Sequence, residues 1–159
     1  MQGKSMFLEG VWTGEGKVRN KVEYKEKTTI AQIKPGVFSF NQKTWKKDDS
    51  PLHCEQGYIR VFPDNWEAPE VGGTIEFMIA YPFGVCEIST GKYTEYSCKV
   101  SNEGNMVRSE RAKEPKVERF VRSFEYKDNK LTYTGVMKTN AADEEEDHLF
   151  GELTKQEDQ

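Results

Sequence analysis

The stretch TIEFMIAY, residues 74–81, decides the fold class of this chain because its apolar side chains recur at every second position. Successive side chains of a β-strand point to opposite faces, so this spacing predicts a strand with one apolar face. That face carries Ile75, Phe77, Ile79 and Tyr81. The stretch KLTYTGVM, residues 130–137, predicts a second strand, whose apolar face carries Leu131, Tyr133, Gly135 and Met137.

Similar runs recur along the chain and are separated by turn-forming segments. The runs are VEYKEKTTIAQI (22–33), VFSFNQKTWK (37–46), LHCEQGYIRVF (52–62), GVCEIST (84–90), YTEYSCKV (93–100), MVRSERA (106–112) and VERFVRSFEY (117–126). The turns are KPG (34–36), KDDSP (47–51), FPDNWEAPEVGG (62–73), TGK (90–92), SNEGN (101–105), KEP (113–115) and KDNK (127–130). Apart from a single turn in KSMFLEG (4–10), no segment shows the helical period.

The pattern predicts an all-β fold of about ten strands joined mostly by hairpins, either a barrel or a sandwich. An up-and-down barrel is favoured because it removes exposed strand edges. Its interior would be wide enough for a small ligand. Polar or sulfur-bearing side chains at inward positions suit a lined ligand cavity, although the tyrosines could instead cap the barrel ends in water. These residues are Tyr24, Tyr58, Tyr81, Tyr133, Met137 and His53.

Composition limits the classes of partner. A chain of 159 residues is long enough for one sizeable core, so we expect a single domain over residues 1–159 with frayed ends at 1–6 and 155–159. A net charge of -4 argues against a nucleic-acid partner or an anionic membrane surface. The start, MQGKSMFLEG, lacks a secretion signal, and no run of 18 apolar residues occurs. The sequence therefore predicts a cytoplasmic protein without membrane insertion.

Motifs of the common enzyme classes are absent from the sequence. No phosphate-binding loop, serine nucleophile motif or HExxH zinc motif occurs. Cys54, Cys86 and Cys98 form no C-x-x-C pair, which favours reduced structural thiols over disulfides or a zinc site. The glycines of GVWTGEG, residues 10–16, lie in strand-like sequence, and we expect Trp12 to plug one barrel end.

The stretch DEEEDHLFGEL, residues 143–153, places five acidic residues directly before His148, one of two histidines in the chain. A final strand in which Leu149 and Phe150 pack would place His148 at the barrel mouth. One histidine without a nearby cysteine or second histidine supplies too few ligands for zinc or copper. Haem needs only one protein ligand because the macrocycle supplies four. A solvated loop histidine fits the same residues, and His53 could be a hydrogen-bonded histidine inside the barrel or at its rim.

The acidic run is expected to form a solvated loop. Carboxylates near an imidazole favour its charged form, so the run predicts a raised pKa for His148. A raised pKa would make protons compete with a metal for this side chain at mildly acidic pH.

Several separated motifs occur in the order typical of the nitrobindin family, and the chain resembles that family over residues 7–154. The motifs are GVWTGEG, NQKTWKKDDSPLHCEQGYIRVFPD, AKEPKVERFVRSFEY, KLTYTGVMKT and, near the end, HL. The segment from QKTWK to GYIR is the most specific of them.

The resemblance implies a ten-stranded antiparallel β-barrel, similar to lipocalins and fatty-acid-binding proteins, that holds haem b in a surface cleft. It implies that His148 is the axial ligand of the haem iron, with no separate catalytic residue. In this family the iron reacts with nitric oxide, and ferric iron can isomerise peroxynitrite to nitrate. Met137, His53, Leu52 and Tyr81 are implied to line the pocket, and a homodimer is compatible with the resemblance.

Two other functions fit the sequence. A barrel without haem could bind a fatty acid or another small hydrophobic ligand through its aromatic interior. The charged loops could alternatively make the barrel a protein-interaction module.

Overall fold

The computed structural model describes residues 6–19 and 21–157, and this part of the chain contains eleven β-strands and no helix. None of the described segments therefore offers a helix that could cross a membrane. The strands are β1 (Gly10–Val18), β2 (Val22–Lys34), β3 (Val37–Lys46), β4 (Pro51–Pro63), β5 (Gly72–Tyr81), β6 (Val85–Thr94), β7 (Ser97–Ser101), β8 (Met106–Arg108), β9 (Val117–Lys127), β10 (Lys130–Thr139) and β11 (Glu146–Lys155).

The strands close into an antiparallel barrel. Each strand pairs with its neighbours in the chain from β1 to β6, and the first strand β1 also pairs with the last strand β11. The short strands β7 and β8 both pair with β6, so together they occupy one position in the wall. The circuit continues through β9, β10 and β11. The prediction of a ten-stranded antiparallel barrel is thus confirmed.

The two ends of the barrel differ in chemistry. At the end that we call the capped end, the segment 6–8 packs with Trp12 in the apolar core. Trp12 is fully buried, and its indole Nε1 donates a hydrogen bond to the carbonyl oxygen of Leu8, 2.8 Å away. This contact confirms that Trp12 plugs one end. Strands β4 and β11 begin at the opposite end, which we call the histidine end because it holds His53 and His148.

The middle of the barrel is filled by side chains. Phe77 stacks on Phe124 with ring centroids 5.7 Å apart, and Phe124 lies 5.7 Å from the ring of Tyr133. A side chain at Gly151 would place its Cβ 2.2 Å from the Tyr133 ring, so glycine there makes room for the tyrosine. The void in this region is about 10 Å³, space for roughly one water molecule. The expected ligand-sized cavity is therefore not in the middle of the barrel, because the inward polar residues contact one another.

The alternation located most strands, but three of the predicted boundaries were wrong. TGK (90–92) was predicted as a turn and instead lies inside β6, where Gly91 pairs with both Ile75 and Val100. The predicted strand YTEYSCKV is broken by the turn at residues 95–96. MVRSERA forms only the three-residue strand β8. Glycine occurs both in turns and inside strands, so the sequence alone could not show that Gly91 belongs to a strand and not to a turn.

Four side-chain predictions also need correction. Tyr58 is 51% exposed. It is adjacent to the inward-facing Ile59 in β4, and successive side chains of a strand point to opposite faces, so Tyr58 points outward. Phe150, expected to pack, is 47% exposed on the outer wall. Met6 is buried in the core and Lys155 pairs with Trp12 in the sheet, so neither is frayed. Gln156 also donates a backbone hydrogen bond to the carbonyl of Val11, at 2.7 Å. Of the other predicted end residues, 1–5 and 158–159 lie outside the described part.

The three cysteines are free, as predicted. Cys98 is buried, Cys54 is half-buried and Cys86 is exposed. Burial raises the pKa of the Cys98 thiol to about 12, so this residue acts as a small apolar side chain.

Glu26 is a buried carboxyl group surrounded by neutral partners. It accepts hydrogen bonds from the hydroxyl of Thr28, 2.5 Å away, and from the hydroxyl of Tyr133, which also bonds to Tyr24. Burial raises the pKa of Glu26, and the hydrogen bonds from its neighbours only partly oppose this rise. The folded protein therefore binds this proton more tightly than the unfolded chain does.

The variant Glu26→Gln should lose the pH dependence that this carboxyl group imposes on stability. Because its pKa is raised on folding, its contribution is full below the unfolded pKa and is lost as pH rises through the folded pKa. Urea unfolding should show the variant gaining stability relative to the wild type as pH rises from below the ordinary glutamate pKa through the raised folded pKa, by about 1.4 kcal/mol per unit of pKa rise. Glu125→Gln, at an exposed position of β9, is the control and should show little change. An equal pH profile for wild type and Glu26→Gln would contradict this account.

Candidate functional site

A β-bulge places His148 at the histidine end. Leu149 lies opposite Gly135 of β10 and Asp147 lies opposite Val136, so His148 has no direct partner in that strand. Such a bulge re-aims a side chain that strict alternation would direct differently. Leu149 packs against the core, and the His148 ring lies 6.2 Å from the ring of Phe120, edge to face. The backbone carbonyl of His148 accepts a hydrogen bond from Arg19.

The His148 imidazole is held in its neutral form. Burial lowers the pKa of this group to about 4, and the positive charges of Arg19 and Arg122 add to the effect. The prediction that the acidic run raises this pKa was wrong, because residues 143–147 are exposed while the ring is half-buried among cations. The ring makes no hydrogen bond to another side chain in the described part of the chain. Its nitrogen lone pair is therefore available to a ligand.

His53 lies at the same end, in β4. Its ring is 5.8 Å from the ring of Tyr81 and 6.2 Å from that of Phe83, and these two rings are 5.3 Å apart. Nε2 of His53 lies 3.2 Å from a carboxylate oxygen of Glu55. The structure thus brings His53 and Tyr81 together, as both were predicted to line the site.

A buried guanidinium joins the two histidine neighbourhoods. Arg122 donates hydrogen bonds to Glu55 at 2.7 Å and to Glu87 at 2.8 Å, and it also donates to the hydroxyl of Tyr81. The Tyr81 hydroxyl donates in turn to Glu87. We call these four residues the Arg122 cluster. Its guanidinium also lies 4.7 Å from the centre of the Phe120 ring, which contacts His148.

Within the Arg122 cluster, Glu55 and Arg122 are ionised. Burial opposes the charge of Glu55, but Arg122 and the hydrogen bond with His53 together outweigh this effect and lower the pKa of Glu55 to about 2. Burial likewise opposes the charge of Arg122, and the surrounding carboxylates raise its pKa well above the usual value. Neither charge could be buried at this depth without the other.

The remaining predicted site residues lie close to these groups. Met137 is half-buried in β10 and pairs with Phe120 of β9. Leu52 is half-buried directly before His53, at a second bulge where Thr44 pairs with His53 and Trp45 with Pro51. All five predicted residues therefore lie at one end of the barrel.

Sequence reasoning missed Arg122, Glu55, Glu87 and Phe120. A usable signal was present, because each charged residue occupies an inward position of its strand; Arg122, for example, lies between Phe120 and Phe124 on one face of β9. Charged residues are rarely buried without a partner. Three such positions on different strands should have indicated one buried ionic cluster.

The acidic run lies beside this site without joining it. Residues 143–147 are all exposed, as expected for a solvated loop, but Glu146 and Asp147 already belong to β11. Glu145 forms an exposed ion pair with Arg119, at 2.5 Å. Exposed pairs of this kind contribute little to stability.

The donor set at the histidine end fits a haem group. A single neutral imidazole suffices as protein ligand, since the macrocycle supplies the other four. Among the residues that the structure describes, no three His, Cys, Asp or Glu side chains gather as a metal site. Phe120 and Met137 give the surroundings of His148 an apolar character. The void of about 10 Å³ in the middle of the barrel is too small for a haem, which favours the histidine end as the candidate site.

Comparison with known proteins agrees with this arrangement. Residues 3–155 match the THAP4-like, heme-binding beta-barrel domain. A protein of Arabidopsis thaliana named peroxynitrite isomerase Rv2717c is 32% identical, over 84% of this chain and 76% of that protein. Peroxynitrite isomerase 2 of Mycobacterium bovis is 28% identical, over 94% and 91% of the two chains.

A solved structure shows the same fold. The crystal structure of Rv2717c from M. tuberculosis matches with a TM-score of 0.76 and 27% identity, covering 94% of this chain and 93% of that one. The sequence match spans nearly the whole described barrel, including both histidines. The chain therefore belongs to the family of THAP4-like, heme-binding β-barrel domains, the nitrobindin family.

Proposed function

We propose that this protein binds haem b through His148, that the iron binds nitric oxide, and that the ferric form isomerises peroxynitrite to nitrate. The observation that carries the proposal is the His148 imidazole: neutral, half-buried and without a hydrogen-bond partner in the described chain, in a family of haem-binding domains. The relatives named peroxynitrite isomerases support the choice of reaction.

The chain's own residues would bind and orient the group. The bulge directs His148 toward Phe120, and the backbone bond from Arg19 fixes the strand position of the histidine. Haem iron, when bound, would supply the chemistry of binding and rearranging the nitrogen oxide. The filled middle of the barrel would confine the ligand to the rim, where small molecules can enter from solvent.

A fatty acid has less support as the ligand. The fatty acid's tail would need space in the barrel, and the void in the middle is about 10 Å³. Its carboxylate would need a free cation, and the buried Arg122 is already paired with Glu55 and Glu87. A protein-interaction role is supported only by the exposed charges of the loops.

Hemin added to the purified protein should produce a Soret band distinct from that of free hemin. His148→Ala should weaken hemin binding at least about tenfold, because the protein ligand to iron is lost. His53→Ala is the matched control, since it removes the other histidine of the same end, and it should keep the Soret band. Equal hemin spectra for wild type and His148→Ala would contradict haem ligation by His148.

The hemin-loaded wild type should also accelerate peroxynitrite decay with nitrate as the product, and nitric oxide should shift its Soret band. Stopped-flow absorbance and nitrate analysis measure these outcomes. His148→Ala with the same added hemin should match free hemin. Binding of hemin without faster formation of nitrate would leave the protein a haem carrier and refute the enzymatic part of the proposal.

The pKa of His148 should be about 4 in the haem-free protein. Because this pKa lies below the ordinary value of 6.5, the folded state favours neutral imidazole, and hemin affinity should stay level from pH 8 to about pH 5 before falling. NMR titration of the two histidine rings measures the midpoint. Arg19→Gln removes a nearby positive charge and should therefore raise the titration midpoint of His148. A midpoint at or above 6.5 would show that the acidic run dominates instead.

A further inference from the structure

His53 is bonded on one side of its ring only. Nε2 lies 3.2 Å from Glu55 Oε2, whereas Nδ1 makes no hydrogen bond with any other described residue. The side chain is 34% exposed, so the ring is accessible while it is held between Tyr81 and Phe83. The ring of His53 therefore has a fixed edge, at Nε2, and a free edge, at Nδ1.

The partner of the fixed edge sets the ring's tautomer. Glu55 is a carboxylate, because Arg122 donates to it from both terminal nitrogens, at 2.7 and 3.4 Å. A carboxylate can only accept, so Nε2 of His53 must carry the proton that is shared with Glu55. The neutral ring therefore keeps an unprotonated Nδ1, whose lone pair can accept a proton.

Nδ1 of His53 lies at the histidine end, the same end of the barrel as His148, the proposed iron ligand. Contacts run from His53 to Tyr81, from Tyr81 to Arg122, and from Arg122 through the Phe120 ring to His148. The charged and titratable groups around His53 are Glu55 on its own strand, Tyr81 on β5, Glu87 on β6, Arg122 on β9 and His148 on β11. A base in this position can accept a proton from a small molecule that binds at the histidine end.

We propose that His53 is the proton acceptor for ligands that arrive as weak acids and bind iron as anions, with Glu55 as the residue that positions its ring. This inference rests on the proposed function, since it assumes haem held by His148. In the step, the bond between hydrogen and the acid's donor atom breaks, and the proton moves to Nδ1 of His53. The electron pair left on the donor atom is the pair that binds the iron, and nothing is oxidised or reduced.

The first test uses the haem-free protein, so it does not depend on haem binding. In ¹⁵N NMR at pH 8, the two histidines give two sets of ring signals, and His148→Ala assigns them. His53 should show one tautomer, protonated at Nε2. Glu55→Gln should give a mixture, because an amide can donate to the ring as well as accept from it. A wild-type His53 protonated at Nδ1 would overturn the positioning role of Glu55.

The second test follows ligand binding to the hemin-loaded protein. Hydrogen cyanide must lose its proton on binding, whereas imidazole binds as a neutral molecule. His53→Ala should slow cyanide association at least about tenfold, in line with the effect of a general base, and should change imidazole association less than about twofold. Cys86→Ser, at an exposed position of β6 at the same end, leaves the base and its ring contacts intact and should leave the cyanide rate near that of the wild type.

The outcomes separate the two proposals. If hemin binds and cyanide association is unchanged in His53→Ala, the role of His53 is refuted while haem binding stands. If cyanide and imidazole slow equally, the variant has altered access to the site, and the proton-acceptor role is again refuted. If the wild type binds no hemin, the proposed function fails together with the iron-binding step, whatever tautomer His53 shows.

Discussion

The ion pairs between buried Arg122 and the carboxylates of Glu55 and Glu87 constrain the rest of the histidine end. An isolated guanidinium inside a barrel is strongly unfavourable, and removing one partner of a buried pair typically costs about 3–5 kcal/mol. The three side chains come from β9, β4 and β6, so their contacts fix strands from opposite parts of the wall. Tyr81 completes the cluster by bonding to both Arg122 and Glu87.

This constraint separates the two ends of the barrel by function. The capped end is apolar and dry around Trp12, and each fully buried apolar side chain there contributes roughly 1.5–3 kcal/mol. The histidine end holds charge; burial, aided by the charges of Arg19 and Arg122, keeps His148 neutral, and the carboxylate of Glu55 lies against His53. Both histidines thus lie beside one buried polar network, and apolar packing elsewhere offsets the cost of burying it.

Much of the fold could be predicted from the sequence because strict alternation has one structural meaning in a half-buried strand. TIEFMIAY and KLTYTGVM became β5 and β10, and their inward residues are in the core. Alternation could not place Gly91 inside β6, nor show that β7 and β8 share one position, since both depend on pairing between distant strands. Tyr58 was wrongly predicted to point inward because the alternation of β4 was not counted from the inward-facing Ile59.

The structure places the five predicted site residues together, but their electrostatic surroundings could not be predicted from the sequence. The family resemblance pointed to His148, His53, Met137, Leu52 and Tyr81, and all five lie at one end. The sign of the His148 pKa shift could not be read from neighbours in sequence, because the five nearby carboxylates are exposed and Arg19 and Arg122 act across space. Arg122 itself was missed because its partners are 67 and 35 positions away in the chain.

The most direct test of this account is a crystal structure of the protein with hemin bound. The account predicts iron coordinated by a ring nitrogen of His148 at the histidine end, with the Arg122 cluster intact and His53 not bonded to the iron. Iron coordinated by His53, or hemin bound away from both histidines, would contradict it.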